Sequence, residues 1–224
     1  MVHFAVSERR ALAETLRQAG PDAPTLSGKW TAAQLAAHLV LRERAATELL
    51  GRLPNERLQR IAERAIDRLV AGEPYEQIVQ AVEDGPSWRD ARLPVPTALV
   101  WAVPAVRERA NLLEYLVHHE DVRRAAPEWA PRELPADFRA AVYERLPMSI
   151  RLTMRRVPVG VALVSPGHRE VLTPRAKRHG AQVTVTGEPV ELVLFAFGRR
   201  TVADVELAGD PADIATVRKA PVGL

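Results

Sequence analysis

Glu114-Tyr115-Leu116-Val117-His118-His119-Glu120-Asp121 is the segment whose reading decides how the first half of this chain folds and what it can hold. A helix places residues three, four and seven apart on one face, so Glu114, His118 and Asp121 share a stripe. Ala110, Val117 and Ala125 border that stripe, while Arg109, Glu120 and Arg123 are expected on the opposite, water-facing side. An inward-facing glutamate and histidine are costly to bury unless they are paired or bound to a metal. His119 lies about 100° round the helix from His118 and is expected to point aside.

A second segment joins the first. In Trp30-Thr31-Ala32-Ala33-Gln34-Leu35-Ala36-Ala37-His38-Leu39, Thr31 and Gln34 have the spacing of a capping box, which marks a helix start. His38 follows Leu35 by three residues and precedes Leu39 by one, so it borders a core-facing stripe. Two imidazoles and one carboxylate form a three-ligand set for a divalent ion and leave a coordination position open. A plainer reading stands beside this one: Glu114 and His118 as an i,i+4 surface pair, and His38 as a satisfied core histidine.

Working outward, residues 1–130 read as helices. The first runs from Ser7 to Ala19 and stops at Gly20-Pro21. The second runs from Thr31 to Gly51, and a third from Asn55 to Val70, ended by Gly72 and Pro74. A short helix over Tyr75–Val82 precedes a loop from Glu83 to Pro104, and a long helix covers Ala105 to Ala126. Pro127, Pro131 and Pro135 mark a linker. Beyond it a helix from Ala136 to Arg145 can continue past Pro147 with a kink. Val159–Val164, Val183–Thr186 and Val202–Leu207 then alternate as strands do. The apolar run Leu192–Phe197 fits a buried strand or a helix, and Gly187-Glu188-Pro189 before it favours the helix. Asp210 opens a closing helix. The pattern predicts an α+β chain: a helical bundle over 1–130, then a smaller α/β domain over 131–224.

Bulk properties narrow the function. The 224 residues are 47% hydrophobic and 26% charged, a balance that supports a packed core. Lys and Arg total 31 against 28 acidic residues, and so small an excess does not indicate a polyanionic partner. Arg151, Arg155, Arg156, Arg169, Arg175, Lys177 and Arg178 do cluster, but aromatic residues are 5% and no recognition motif accompanies them. Nucleic acid is therefore not an expected partner. No apolar run approaches the roughly 18 residues of a membrane span, and no secretory leader is apparent, so a cytoplasmic protein is expected. Zero cysteines exclude disulfides, cysteine ligands and a thiol nucleophile of the chain's own. Thiol chemistry here would need a thiol from outside.

With these residues in place, the chain resembles the DinB-like superfamily, and within it the mycothiol-dependent maleylpyruvate isomerase-like proteins of actinobacteria. The carrying segments are Trp30-Thr31 through His38-Leu39, Glu114-x-x-x-His118-x-x-Asp121, and a tail of Gly187-Glu188-Pro189-Val190-Glu191-Leu192, Gly198-Arg199 and Val205 through Asp210. The variant His118-His119-Glu120-Asp121 is similar to a small branch described as metal-binding.

The resemblance implies a DinB-like four-helix bundle and a sterol-carrier-like α/β domain that closes over a metal site. It assigns the ligand positions to His38, Glu114 and His118, with zinc the expected ion, and makes Asp121 a partner that orients an imidazole. Ser27 stands where relatives often carry cysteine, which argues against a protein thiol there. Mycothiol becomes the expected cosubstrate of a thiol transferase or isomerase, and the alternative is a metal- or small-ligand-binding protein without catalysis. Arg199 is the candidate for meeting the thiol or an anionic substrate, its plainer role being a helix-end cation. Arg42, one turn after His38, is the weaker candidate. Expected partners are thus a small thiol or small anion, with the chain a monomer or homodimer.

Overall fold

Gly20, at φ 82°, ends the first helix by a turn that side-chain-bearing residues avoid, and its N–H donates to the carbonyl of Leu16 at 3.1 Å. That helix, α1 (Phe4–Ala19), opens the first of two compact units, Met1–Ala130 and Pro131–Leu224. The computed structural model describes residues 4–44, 56–85 and 104–221. The expected end of the second helix at Gly51, the start of the third at Asn55 and most of the Glu83–Pro104 loop lie outside the described residues. So do the side chains of Arg109 and Ala110.

The first unit continues with α2 (Ala32–Arg44), α3 (Glu56–Gly72), α4 (Tyr75–Asp84) and α5 (Pro104–Arg123). α1 lies along α5 and α4, while α2 packs on α3 and α4. Leu12, Leu16, Leu35, Leu39, Leu112 and Leu116 are fully or almost fully buried, which is what their helical spacing demands. The expected capping box forms: Thr31 N–H donates to Oε1 of Gln34 at 3.1 Å, and Gln34 N–H to Oγ1 of Thr31 at 3.4 Å. These two bonds fix where α2 starts, and hence the turn on which His38 falls.

The second unit begins with α6 (Ala136–Thr153), which runs through Pro147 although that residue cannot donate a helical hydrogen bond. There follow β1 (Val161–Val164), β2 (Val171–Leu172), α7 (Pro174–His179), β3 (Val183–Thr186), α8 (Pro189–Ala196), β4 (Glu206–Gly209) and α9 (Pro211–Lys219). The sheet order is β2-β1-β3-β4, with β1 and β3 parallel and both outer pairings antiparallel. In β3, Val183 and Val185 are buried while Thr184 and Thr186 are half-buried, the alternation expected of a sheet with one core face.

The run Leu192–Ala196 is helical and shows no periodicity because every one of its side chains is buried. Two short elements, β2 and α7, have too few residues to display a period and were not anticipated. Val202–Val205 was expected as strand and is not. Its backbone is used elsewhere: Val202 and Ala203 donate to the carbonyl of Arg199, and Asp204 N–H to the carboxylate of Glu191 at 2.9 Å. The strand therefore starts at Glu206. Among the described residues, no helix is long and apolar enough to cross a membrane.

Candidate metal centre

His38 on α2 and Glu114 and His118 on α5 bring one ligand atom each to within 4.8 Å of one another. The meeting point is Oε1 of Glu114, which stands 3.6 Å from Nε2 of His38 and 3.4 Å from Nε2 of His118. All three side chains are almost entirely enclosed, with 10–13% of their surface exposed. Enclosure removes the plainer expectation of a surface pair. The indole of Trp30 covers His38, with ring centroids 4.8 Å apart, and the two imidazoles meet edge to face at 5.3 Å.

The orientation of His118 is set from behind. Oδ2 of Asp121, a fully buried residue, lies 2.9 Å from its Nδ1, and an ionised carboxylate can only accept. Nδ1 therefore carries a proton, and Nε2 is the ring atom directed at Glu114. Ser27 donates its hydroxyl to the same Oδ2 at 2.8 Å, and Leu26 N–H donates to the carbonyl of Asp121 at 3.0 Å. The loop before α2 is thus fastened to the end of α5.

The electrostatics centre on Glu114. Burial, the largest single influence, pushes its carboxyl up, but the Arg42 guanidinium, His118 and His38 together outweigh it and hold the group well below the usual carboxylate range. Nε of Arg42 lies 3.0 Å from Oε1 of Glu114, and its Nη1 donates to Oδ1 of Asn111 at 2.9 Å. An anionic oxygen flanked by two imidazole nitrogens suits a divalent metal ion. The residues present fit such a group.

His119 points aside, as its helical position requires. Its Nδ1 is 2.8 Å from Oε1 of Glu8, and its Nε2 is 2.8 Å from Oγ1 of Thr15, so it joins α5 to α1. The expectation for Glu120 fails. It is 1% exposed, bonded to Nε of Arg124 at 2.6 Å and to Nη1 of Arg123 at 3.0 Å, and Arg124 stacks over Trp129. A buried partner four residues on turns the supposed outer face of α5 inward at its end. Arg199, in the second unit, is half-buried and donates Nη1 to the carbonyl of Phe197 at 2.7 Å.

Sequence reasoning did not find the hydroxyl of Ser27 as a hydrogen-bond donor, nor Arg42 as the partner of Glu114. The second carried a signal: Arg42 is four residues past His38 and so shares its face. The first pairing spans 94 residues and carried none.

A family model described as the mycothiol maleylpyruvate isomerase N-terminal domain matches residues 3–123, more than half of the chain. The chain belongs to this family. Similarity to the mycothiol maleylpyruvate isomerase fold extends past the matched domain. The crystal structure of the mycothiol-dependent maleylpyruvate isomerase is 18% identical with a TM-score of 0.54. That of a histidine-to-alanine mutant is 17% identical with a TM-score of 0.57. In both, the similarity covers 92% of this chain and 90% of the other. At such identity the likeness shows the fold alone: a helix-rich chain with a small four-stranded sheet. No curated protein matches the chain.

Proposed function

We propose that this protein is a metal-dependent enzyme that takes an external low-molecular-weight thiol of the mycothiol class as cosubstrate, for thiol transfer or isomerisation. The reading places a divalent ion, zinc by preference, on His38, Glu114 and His118 within a DinB-like helical bundle. It treats residues 131–224 as the sterol-carrier-like domain. The observation that carries it is the convergence of three enclosed donors on Oε1 of Glu114, with His118 oriented by Asp121. The lack of cysteine supports it, because the chain has no thiolate of its own to fill a fourth position.

An ion held there would supply the Lewis acidity that lowers a thiol's pKa and makes a nucleophilic thiolate available near neutral pH. The chain's own contributions are more specific. Asp121 keeps the proton on Nδ1 of His118, so that Nε2 is the donor. Arg42 keeps Glu114 anionic despite its burial, and Trp30 shields His38 from water. Arg199 is assigned the anionic group of the thiol or substrate, on its match to the Gly198-Arg199 motif.

The test is titration of cobalt-substituted protein with mycothiol and with simpler thiols, followed through the visible spectrum. Millimolar thiol should change the spectrum, and more so as pH rises toward the free thiol pKa. An unchanged spectrum leaves a metal-binding protein without thiol chemistry. Arg199→Ala should weaken an anionic thiol more than a neutral one.

A further inference from the structure

We propose that Arg42 competes with the divalent ion for Glu114, and by that competition sets how tightly the centre holds metal. The proposal rests on the metal-centre reading above and gives Arg42 a second effect there, opposed to its part in keeping Glu114 ionised. Its basis is geometric. The oxygen to which both imidazoles point, Oε1 of Glu114, is also the oxygen that Nε of Arg42 reaches at 3.0 Å. Arg42 comes closer to it than either histidine. Its side chain is 11% exposed, so water does little to screen the contact.

The guanidinium is also anchored on a second point. Nη1 donates to Oδ1 of Asn111, itself buried, three residues before Glu114 on α5. Arg42 therefore spans Glu114 and Asn111 in a fork that a lysine ammonium would not reproduce. A guanidinium stays protonated in proteins, so this positive charge cannot be removed by losing a proton when a metal arrives. Two consequences follow. A dication entering between Nε2 of His38, Nε2 of His118 and Oε1 of Glu114 meets a resident cation on its only anionic ligand. Loading the centre then exchanges one positive partner of Glu114 for another, instead of filling a site with nothing to displace.

The exchange gives Arg42 opposite effects on two forms of the protein. It supports the chain prepared without metal, where it neutralises a buried carboxylate, and it weakens the hold on metal. A residue that merely positions Glu114 would act with one sign on both.

The experiment uses full-length wild type, Arg42→Gln and Arg42→Lys, each stripped with a chelator. Zinc is titrated back in competition with a chromophoric chelator, and thermal unfolding is recorded with and without zinc. Arg42→Gln should melt lower than wild type without zinc yet bind zinc about tenfold or more tightly. Arg42→Lys, which keeps the charge but not the fork to Asn111, should fall between wild type and Arg42→Gln. Zinc binding by Arg42→Gln that is unchanged or weaker overturns the proposal. The Nε–H resonance of Arg42 in nitrogen-labelled wild type, assigned by its loss in Arg42→Lys, tests the same point without needing the glutamine variant to fold. It should shift and lose protection from exchange at saturating zinc, and an unmoved resonance overturns the exchange. Wild type that takes up no zinc at all instead overturns the metal-centre reading itself.

Discussion

Ser27 donates its hydroxyl to Oδ2 of Asp121 at 2.8 Å, and that same oxygen holds Nδ1 of His118 at 2.9 Å. The chain serine–aspartate–histidine runs from half-buried Ser27 through fully buried Asp121 behind the converging donors and fixes the plane of one imidazole. Replacing Asp121 with alanine frees the ring to rotate and removes the acceptor that selects its tautomer. Metal affinity should fall about 10–100-fold, the usual loss when such a partner is removed. Ser27→Ala keeps the carboxylate and should cost less. Zinc competition titrations rank the two, and a larger effect at Ser27 would mean that Asp121 does not orient the ring.

His38 and His118 should be indispensable to metal uptake. Their Nε2 atoms stand 3.6 and 3.4 Å from the same oxygen of Glu114, and no cysteine exists to substitute. Elemental analysis of native protein should find about one divalent ion per chain, as three donors around one point allow. Either alanine variant should lose most of it. Full occupancy in both variants would refute the ligand assignment.

His119 should behave quite differently from its neighbour. It is 4% exposed and bridges Glu8 and Thr15 of α1, so His119→Ala leaves a buried carboxylate of Glu8 without this donor. A stability loss of at least about 2 kcal/mol is expected, since losing the partner of a buried charged group costs more than a neutral bond. Zinc affinity should change less than in Asp121→Ala. Denaturant unfolding with parallel metal titration separates the effects. Strong metal loss with unchanged stability would make His119 a ligand.

Local grammar made the helical half and the start of α2 readable. Thr31 and Gln34 announce the cap, and the phase of α5 follows from the spacing of Glu114, His118 and Asp121. The same phase argument misplaced Glu120, because periodicity reports a neighbour's side of the helix and not what covers it. Arg124, one turn on, buries with Glu120 as an ion pair at 2.6 Å. In the second unit, Val202–Val205 has the composition of a strand, but Glu191 and the Arg199 carbonyl claim its backbone N–H groups. The Arg199 turn is local, but the claim by the side chain of Glu191, 13 residues back, leaves no local trace. The meeting of His38, Glu114 and His118 was legible for the opposite reason, since two of them share one helix face and the third sits on a capped helix.

Tyr75 gives a prediction at alkaline pH. Its hydroxyl donates to the carbonyl of Leu16 at 2.7 Å, joining α4 to the end of α1. Burial first, and then the carboxylate of Glu76, push its phenol up to about 12. An unfolded tyrosine titrates near 10, so between these values the unfolded chain sheds a proton that the folded chain keeps. The neutral phenol's contribution is therefore complete below the unfolded value and is lost as pH rises through the folded one. Tyr75→Phe should cost about 1 kcal/mol at neutral pH, the net worth of one hydrogen bond. The stability gap between wild type and variant should then narrow as pH climbs from about 10 to about 12. Phenolate absorbance of the folded protein should show a step near pH 12 that Tyr75→Phe diminishes. Tyr143 is pushed up by burial as well, so the criterion is amplitude: a gap that widens with pH, or a step that the substitution leaves undiminished, would show that Tyr75 is not held neutral by the fold.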